Sequence, residues 1–266
     1  MKLGSVAAAS LLAACIAPPA AQPVPPAGPT PAPRPRLTCS WPGTAKAAVS
    51  LTYDDAMRSQ LERAAPALKR HGLSATFFLS GSGFSEFGAL AAEGHELASH
   101  TVTHPCNPQL ASFTSEDMAR ELDAGIAAVH ALGVAGKLTF AYPCGQQQIK
   151  GGESYVPLVK ERFRAARGVA PIVADPAQVD LLSVPALFPP SGSDGSDAIE
   201  LIESAAQSGG WAVLGVHGIG EGPPYLQLSE AAHERVLGYL AQHRARLWVA
   251  PFGTVADAVV ACRGSK

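Results

Sequence analysis

Residues 47–55, Ala47-Ala48-Val49-Ser50-Leu51-Thr52-Tyr53-Asp54-Asp55, run from a small apolar segment straight into two adjacent carboxylates. Ala47–Thr52 reads as a short buried strand with the acidic pair at its exit. The same arrangement recurs downstream. Strand-like runs at 75–80, 96–99, 138–142, 164–168, 181–184, 211–217 and 247–250 alternate with helical patterns. The clearest helix spans 114–132, where Thr114 and Asp117 give a capping signal and Met118, Leu122, Ile126 and Val129 recur at helical spacing. Pro66 belongs in the first turn of its helix, where a missing N–H does no harm. This alternation argues for an α/β fold with parallel strands and crossover helices, as a barrel or an open sheet. In such folds the chemistry gathers at the carboxyl ends of the strands.

Composition narrows the function. The chain has 266 residues, with 20 Lys+Arg against 22 Asp+Glu and a net charge of −2. That balance argues against a nucleic-acid partner, which needs a basic face. At 47% hydrophobic and 16% charged residues, the chain can bury a large core. No apolar run reaches the length of a bilayer span.

Residues 1–14 hold one basic residue, Lys2, and then an uncharged apolar run from Leu3 to Ala14. That is the layout of an export signal. The run ends in Leu12-Ala13-Ala14-Cys15, which resembles the lipobox of bacterial lipoproteins and implies cleavage before Cys15 and its acylation. The alternative is an ordinary signal cut near Ala20-Ala21. Nine prolines between Pro18 and Pro35 make 15–36 a linker that cannot build a core. As polyproline II its residues 17–36 would reach roughly 60 Å. The folded domain is expected at 37–266. Of the five cysteines, four remain beside Cys15, an even number suited to an oxidising compartment. The absence of any C-x-x-C pair argues against a structural zinc site.

Three strand ends carry chemistry. Asp54-Asp55 follows the first strand, and adjacent carboxylates need a cation or a shared proton. His100-Thr101-Val102-Thr103-His104 follows the strand at 96–99. Histidines four apart can meet one metal from a single helical turn. Val213-Leu214-Gly215-Val216-His217 is an apolar strand ending in histidine. Two imidazoles and one carboxylate form a three-ligand set with a position left for water, and that donor set suits zinc, with cobalt and nickel also able to bind. Each motif alone has a plain structural reading; the three together point to a catalytic centre.

With these residues the sequence resembles the polysaccharide deacetylases, the family 4 carbohydrate esterases. Thr52-Tyr53-Asp54-Asp55 is similar to their first motif and His100-Thr101-Val102-Thr103-His104 to the second. Phe140-Ala141-Tyr142-Pro143-Cys144-Gly145 looks like the third, and Leu214-Gly215-Val216-His217 the fifth. The resemblance covers roughly 46–255. It implies a distorted, incomplete (β/α) barrel of about seven parallel strands. It also implies removal of N- or O-acetyl groups from glycans with one divalent metal ion, zinc by its donors. Carried across, Asp54 is the base, His217 the acid, and Asp55, His100 and His104 the metal ligands. Tyr142, Pro143 and Cys144 form the oxyanion and substrate loop, with the Cys144 N–H as donor. Tyr225, in the Gly/Pro-rich loop after His217, is the candidate substrate contact. Trp211 and Trp248 start strands and read as core, and His71, His95, His130, His233 and His243 read as surface or structural.

Two departures stand out. The family's third motif commonly carries an Arg that orients the base, and Ala141 stands there instead. Arg167, at the carboxyl end of the next strand, is the expected substitute, with Arg164 too far back. The fourth motif, an acidic residue near a Trp, is not recognisable, and Asp180 is the candidate. Cys106 lies two residues past His104 and Cys144 lies in the third-motif loop, so a Cys106–Cys144 disulfide is expected. Cys39 and Cys262 flank the two domain ends, which commonly lie close together, so they should pair as well. Two other functions remain open: a non-catalytic glycan-binding lipoprotein of this fold, and a metallohydrolase of another amide or ester.

The expected location is the bacterial cell envelope, through a lipid on Cys15, or otherwise the secreted fraction. Cys15→Ser should move the protein from the detergent phase to the soluble fraction. Equal partitioning of the two proteins would assign Cys15 to a discarded leader.

Overall fold

Strand β1 (Ala47–Asp54) is buried along its whole length, as expected of a parallel strand covered on both sides. Its buried hydroxyls are satisfied locally. Ser50 Oγ donates to Ala250 O at 3.0 Å and Thr52 Oγ1 to Leu214 O at 2.8 Å. The structure is a computed structural model, and it describes residues 39–220 and 227–264.

After β1 come α1 (Ala65–His71), β2 (Thr76–Leu79), α2 (Gly88–Ala92), β3 (Glu96–Ser99) and α3 (Ser115–His130). Next are β4 (Thr139–Ala141), α4 (Val156–Arg162), β5 (Ala165–Arg167), α5 (Ser196–Ser208) and β6 (Trp211–Val216). A small parallel pair, β7 (Gly218–Ile219) and β8 (Gln227–Leu228), precedes α6 (Glu230–Gln242), β9 (Leu247–Val249) and α7 (Phe252–Gly264). The main sheet has the order β5-β4-β3-β2-β1-β6, with β9 also on β1. All its pairings are parallel. β1 is long enough to hold β9 through Ala47–Val49 and β2 through Thr52–Asp54.

The result is the curled, incomplete barrel that the alternation and the resemblance implied. The strand expected at 181–184 is reduced to isolated bridges, Val184 with Arg167 on β5 and Leu187 with Leu214 on β6. The segment thus touches both edges of the sheet. Pro185, with no N–H to donate, prevents a regular ladder between them. The helix expected over 114–132 is α3, and its cap is a full capping box between Thr114 and Asp117. Pro66 stands in the first turn of α1, just after a π-helical turn, Gln60–Ala64.

Side chains alternate across the sheet. Val49, Leu51 and Tyr53 face one layer, with Leu68, Met118, Leu122, Ile202 and Leu237 from the covering helices. Ala48, Phe78, Ala98, Ala141, Ala165, Trp211 and Val213 face the other, against α7 and residues 174–188. This second face is called the inner face below. Cys39 and Cys262 form a disulfide spanning 223 residues. In the chain-entropy picture, closing such a loop stabilises the fold by about 5 kcal/mol. Cys15, Tyr225 and the expected linker lie outside the described residues.

Two of the histidines read as surface or structural are buried, His95 and His233. The Tyr53 hydroxyl meets His233 Nε2 at 2.7 Å. Burial pushes the Tyr53 phenol upward, so it keeps its proton and donates. Burial also drives His233 down to about 4. The unfolded chain takes up that proton near pH 6.5 and the folded one only near pH 4, so stability falls as pH drops through this window. His233 accounts for a loss of about 3 kcal/mol there. His233→Gln should flatten the acid limb of a stability–pH curve between pH 6.5 and 4. An unchanged limb would remove His233 as its source.

Candidate active site

Alternation on the strands determines what meets at the mouth of the sheet. Asp54 shares the parity of Ala48, His100 that of Ala98, Arg167 that of Ala165, and His217 that of Val213. All four therefore continue the inner face at or just past the carboxyl ends of their strands. They border a cavity of about 600 Å³ together with Asp55, His104, Tyr142, Cys144, Val169 and Phe188.

Asp55, His100 and His104 converge. His100 Nε2 and His104 Nε2 are 3.2 Å apart, and Asp55 Oδ1 lies 3.6 and 3.4 Å from them. Ligands at about 2.0–2.1 Å around a tetrahedral ion sit about 3.3–3.4 Å from one another, so the three atoms fit a cation of that size. The tautomer fits too. His100 Nδ1 lies 2.8 Å from the Ala141 carbonyl, which requires Nδ1–H and leaves Nε2 free to ligate. Burial lowers His100 to about 4, despite the opposing pull of Asp54 and Asp55, so the imidazole stays neutral. His104 also lies near Cys106 and Cys144, but those sulfurs are joined in a disulfide spanning 38 residues and are not thiolates.

The two histidines do not share a helical turn. His100 leaves β3 and His104 sits in the loop beyond, where Thr101 (φ 65°) and His104 (φ 50°) are both left-handed. Asp55, Ala56 and Cys144 complete the positive-φ residues other than glycine among those described. All five stand at this mouth. Such conformations cost on the order of 1–3 kcal/mol each and persist only where neighbours enforce them. Glu121 on α3 does so for the histidine loop, accepting from Val102 N at 2.7 Å and Thr103 N at 2.5 Å. The Cys106–Cys144 disulfide ties that loop to the one carrying Tyr142, Pro143 and Cys144.

Asp54 is almost fully buried and pairs with Arg167, whose Nη2 donates to its Oδ2. Burial alone would raise the carboxyl, but Arg167, His100 and His217 outweigh it and hold Asp54 below its ordinary value. Among the described residues nothing donates a hydrogen bond to Asp54 Oδ1. Arg167 lies between two aromatic rings, its Cζ 5.3 Å from the centre of Phe78 and 4.8 Å from that of Phe188. Arg164, at the other end of β5, pairs with Glu96 and Asp257 instead. His217 Nε2 stands 3.8 Å from Asp55 Oδ2.

The other expected residues divide. Tyr142 and Cys144 line the cavity, and Pro143 is buried beneath it. Asp180 caps a turn through Leu182 N at 2.9 Å and does not line the cavity. Trp41 and Trp248 pack together, and Trp211 lies in the core. Sequence reasoning missed Glu121, Phe188 and Gln60. Gln60 Nε2 donates to Asp54 O at 2.5 Å and His217 O at 3.0 Å, tying the ends of β1 and β6 together. A buried glutamine just past the acidic pair was the only available signal.

Comparison with known proteins agrees with this picture. The polysaccharide deacetylase family model matches residues 42–150. A chitin deacetylase of Colletotrichum lindemuthianum is 32% identical over 111 residues, 38% of this chain and 41% of that protein. The chain thus spans about two fifths of the length of the curated relative it matches. A Mycobacterium smegmatis structure described as a polysaccharide deacetylase is 20% identical, with a TM-score of 0.62 over 86% of this chain and 95% of that one. The catalytic domain of a peptidoglycan N-acetylglucosamine deacetylase from Eubacterium rectale superposes at 0.53, with 17% identity over 80% and 90%. An allantoinase superposes at 0.62, with 15% identity over 86% and 94%. At these identities the structural likenesses establish the fold. The family match falls on the segment that carries Asp54, Asp55, His100 and His104, and over residues 42–150 the chain is similar to the polysaccharide deacetylases, within a barrel whose fold the solved structures share.

Proposed function

We propose that this protein is a metal-dependent hydrolase that removes N- or O-acetyl groups from a glycan. The observation that carries this reading is the convergence of Asp55, His100 and His104 beside the Arg167-held carboxylate of Asp54. Asp55, His100 and His104 would hold a divalent cation, zinc by its donor set. Such a cation, when bound, polarises the acetyl carbonyl and lowers the pKa of water. The chain's residues do the rest. Arg167 occupies Asp54 Oδ2 and keeps the carboxyl ionised, leaving Oδ1 to accept the proton of the attacking water. The Cys144 N–H stabilises the oxyanion. His217, beside Asp54 at the end of the neighbouring strand, protonates the departing amine or alcohol.

A second reading is a hydrolase of a small amide. It is favoured by the cavity walls, where Pro108, Val169, Phe188 and the disulfide stand and no tryptophan offers a platform for a sugar. We place the protein outside the cytoplasm, tethered through a lipid on Cys15 ahead of a spacer and the folded domain at 37–266. Two disulfides suit that compartment.

Acetate release from chitooligosaccharides, peptidoglycan and acetylated xylan, with and without chelator, tests the function. Release abolished by chelator and restored by zinc is expected; release from none of them, with turnover of small amides, would favour the second reading. Asp55→Ala and His104→Ala should lose both metal and activity. Asp54→Asn should keep its metal while turnover falls about 10²–10⁴-fold. Full activity in Asp54→Asn would overturn its role.

Arg167→Ala leaves a buried carboxylate unpaired and should cost about 3–5 kcal/mol of stability together with most activity, at unchanged metal content. Arg164→Ala, which breaks a partly exposed pair, should be mild. Equal effects in thermal unfolding and turnover would refute the assignment to Arg167.

A further inference from the structure

His217 has an unusual mooring. A functional histidine is ordinarily oriented by a hydrogen bond at its second nitrogen. Among the described residues the His217 ring makes none; its Nε2 stands 3.8 Å from Asp55 Oδ2. What it does meet is an aromatic face. The Phe188 and His217 rings lie 5.1 Å apart with 36° between their planes. The same Phe188 ring covers the Arg167 guanidinium at 4.8 Å. The backbone is arranged to seat it. Leu187 N donates to Val213 O at 3.0 Å and Gly215 N to Leu187 O at 2.8 Å, so residue 187 is paired to β6 immediately before Phe188. Gly215 then leaves the space the ring fills. A Cβ there would stand 2.2 Å from Phe188 Cζ and 2.4 and 2.5 Å from its ε carbons.

We infer that Phe188 is a positioning residue for the reaction proposed above, one ring that orients His217 and locks the guanidinium holding Asp54. The inference rests on that reading for its kinetic consequence but not for its geometry. The tilted ring contact supplies what a hydrogen bond would: it restricts the orientation of the imidazole while leaving both nitrogens free. Through Arg167 the same ring steadies the Asp54 carboxylate at the end of the neighbouring strand. The two groups that accept and deliver protons are thereby set relative to one another by a side chain that exchanges none.

The test has two arms. Histidine ring resonances of the zinc-loaded protein, with His217 assigned by its absence in His217→Gln, report the aromatic neighbour directly. Phe188→Leu should move the His217 signals toward their unstructured positions, and Phe188→Tyr should leave them in place. In turnover, Phe188→Leu should lower kcat by up to about 100-fold, with little change in KM or metal content. Phe188→Tyr should restore it. Gly215→Ala should act like Phe188→Leu in the wild-type background and add little in the Phe188→Leu background, where the obstructed ring atoms are gone. Unmoved His217 resonances in Phe188→Leu, or an equal cost of Gly215→Ala in both backgrounds, would overturn the inference. If the wild type released no acetate, the proposed function would fall, and the resonance arm would still decide whether Phe188 orients His217.

Discussion

Asp54 and Arg167 sit on β1 and β5, four steps apart in the sheet order. In a flat sheet with strands about 4.8 Å apart they would be separated by about 19 Å. They touch. The pair can exist only if the sheet curls, and once made it resists flattening, because parting the two leaves both charges buried and unpaired. The rest of the mouth depends on this closure. It brings the ends of β1, β3, β5 and β6 around one cavity and puts a fixed cation, Arg167, behind the Asp54 carboxylate beside Asp55, His100 and His104.

Strain is concentrated in the same place. Among the described residues the five left-handed positions other than glycine lie in loops at this mouth, and each needs an external hold. These holds come from side chains other than the proposed base, acid and ligands. Glu121 reaches down from α3, Gln60 ties the backbones of Asp54 and His217, and the disulfide spans two loops. Gly125 on α3 permits the approach, since a Cβ there would meet Ser99 Oγ at 2.7 Å. The active-site backbone is thus set by packing from behind.

Much of this was legible in the sequence because alternation is a local property. Once Ala48, Ala98, Ala165 and Val213 are inward, Asp54, His100, Arg167 and His217 must be inward as well, and a missing arginine at Ala141 directs attention to the next strand. What was not legible depends on paths between elements. The histidine pair was expected on a helical turn; the observed loop relies on Glu121, which lies 17 residues past His104 in a helix whose pattern speaks only of its buried stripe. Phe188 follows Pro185 in a segment that reads as a poor strand. Nothing in its neighbours indicates that it will lie over Arg167.

The disulfide between Cys39 and Cys262 has a mechanical meaning. Near it, Trp41 Nε1 donates to Gly209 O and Thr44 Oγ1 to Ala245 O, carbonyls just ahead of β6 and β9. The chain therefore enters the domain at the amino ends of the strands, the end away from the cavity. A load applied through residues before Cys39 is carried into α7 by a covalent bond before it can reach β1. A pull on Cys39 would strain the amino end of the sheet and leave the register of β1, and with it Asp54 and Asp55, undisturbed.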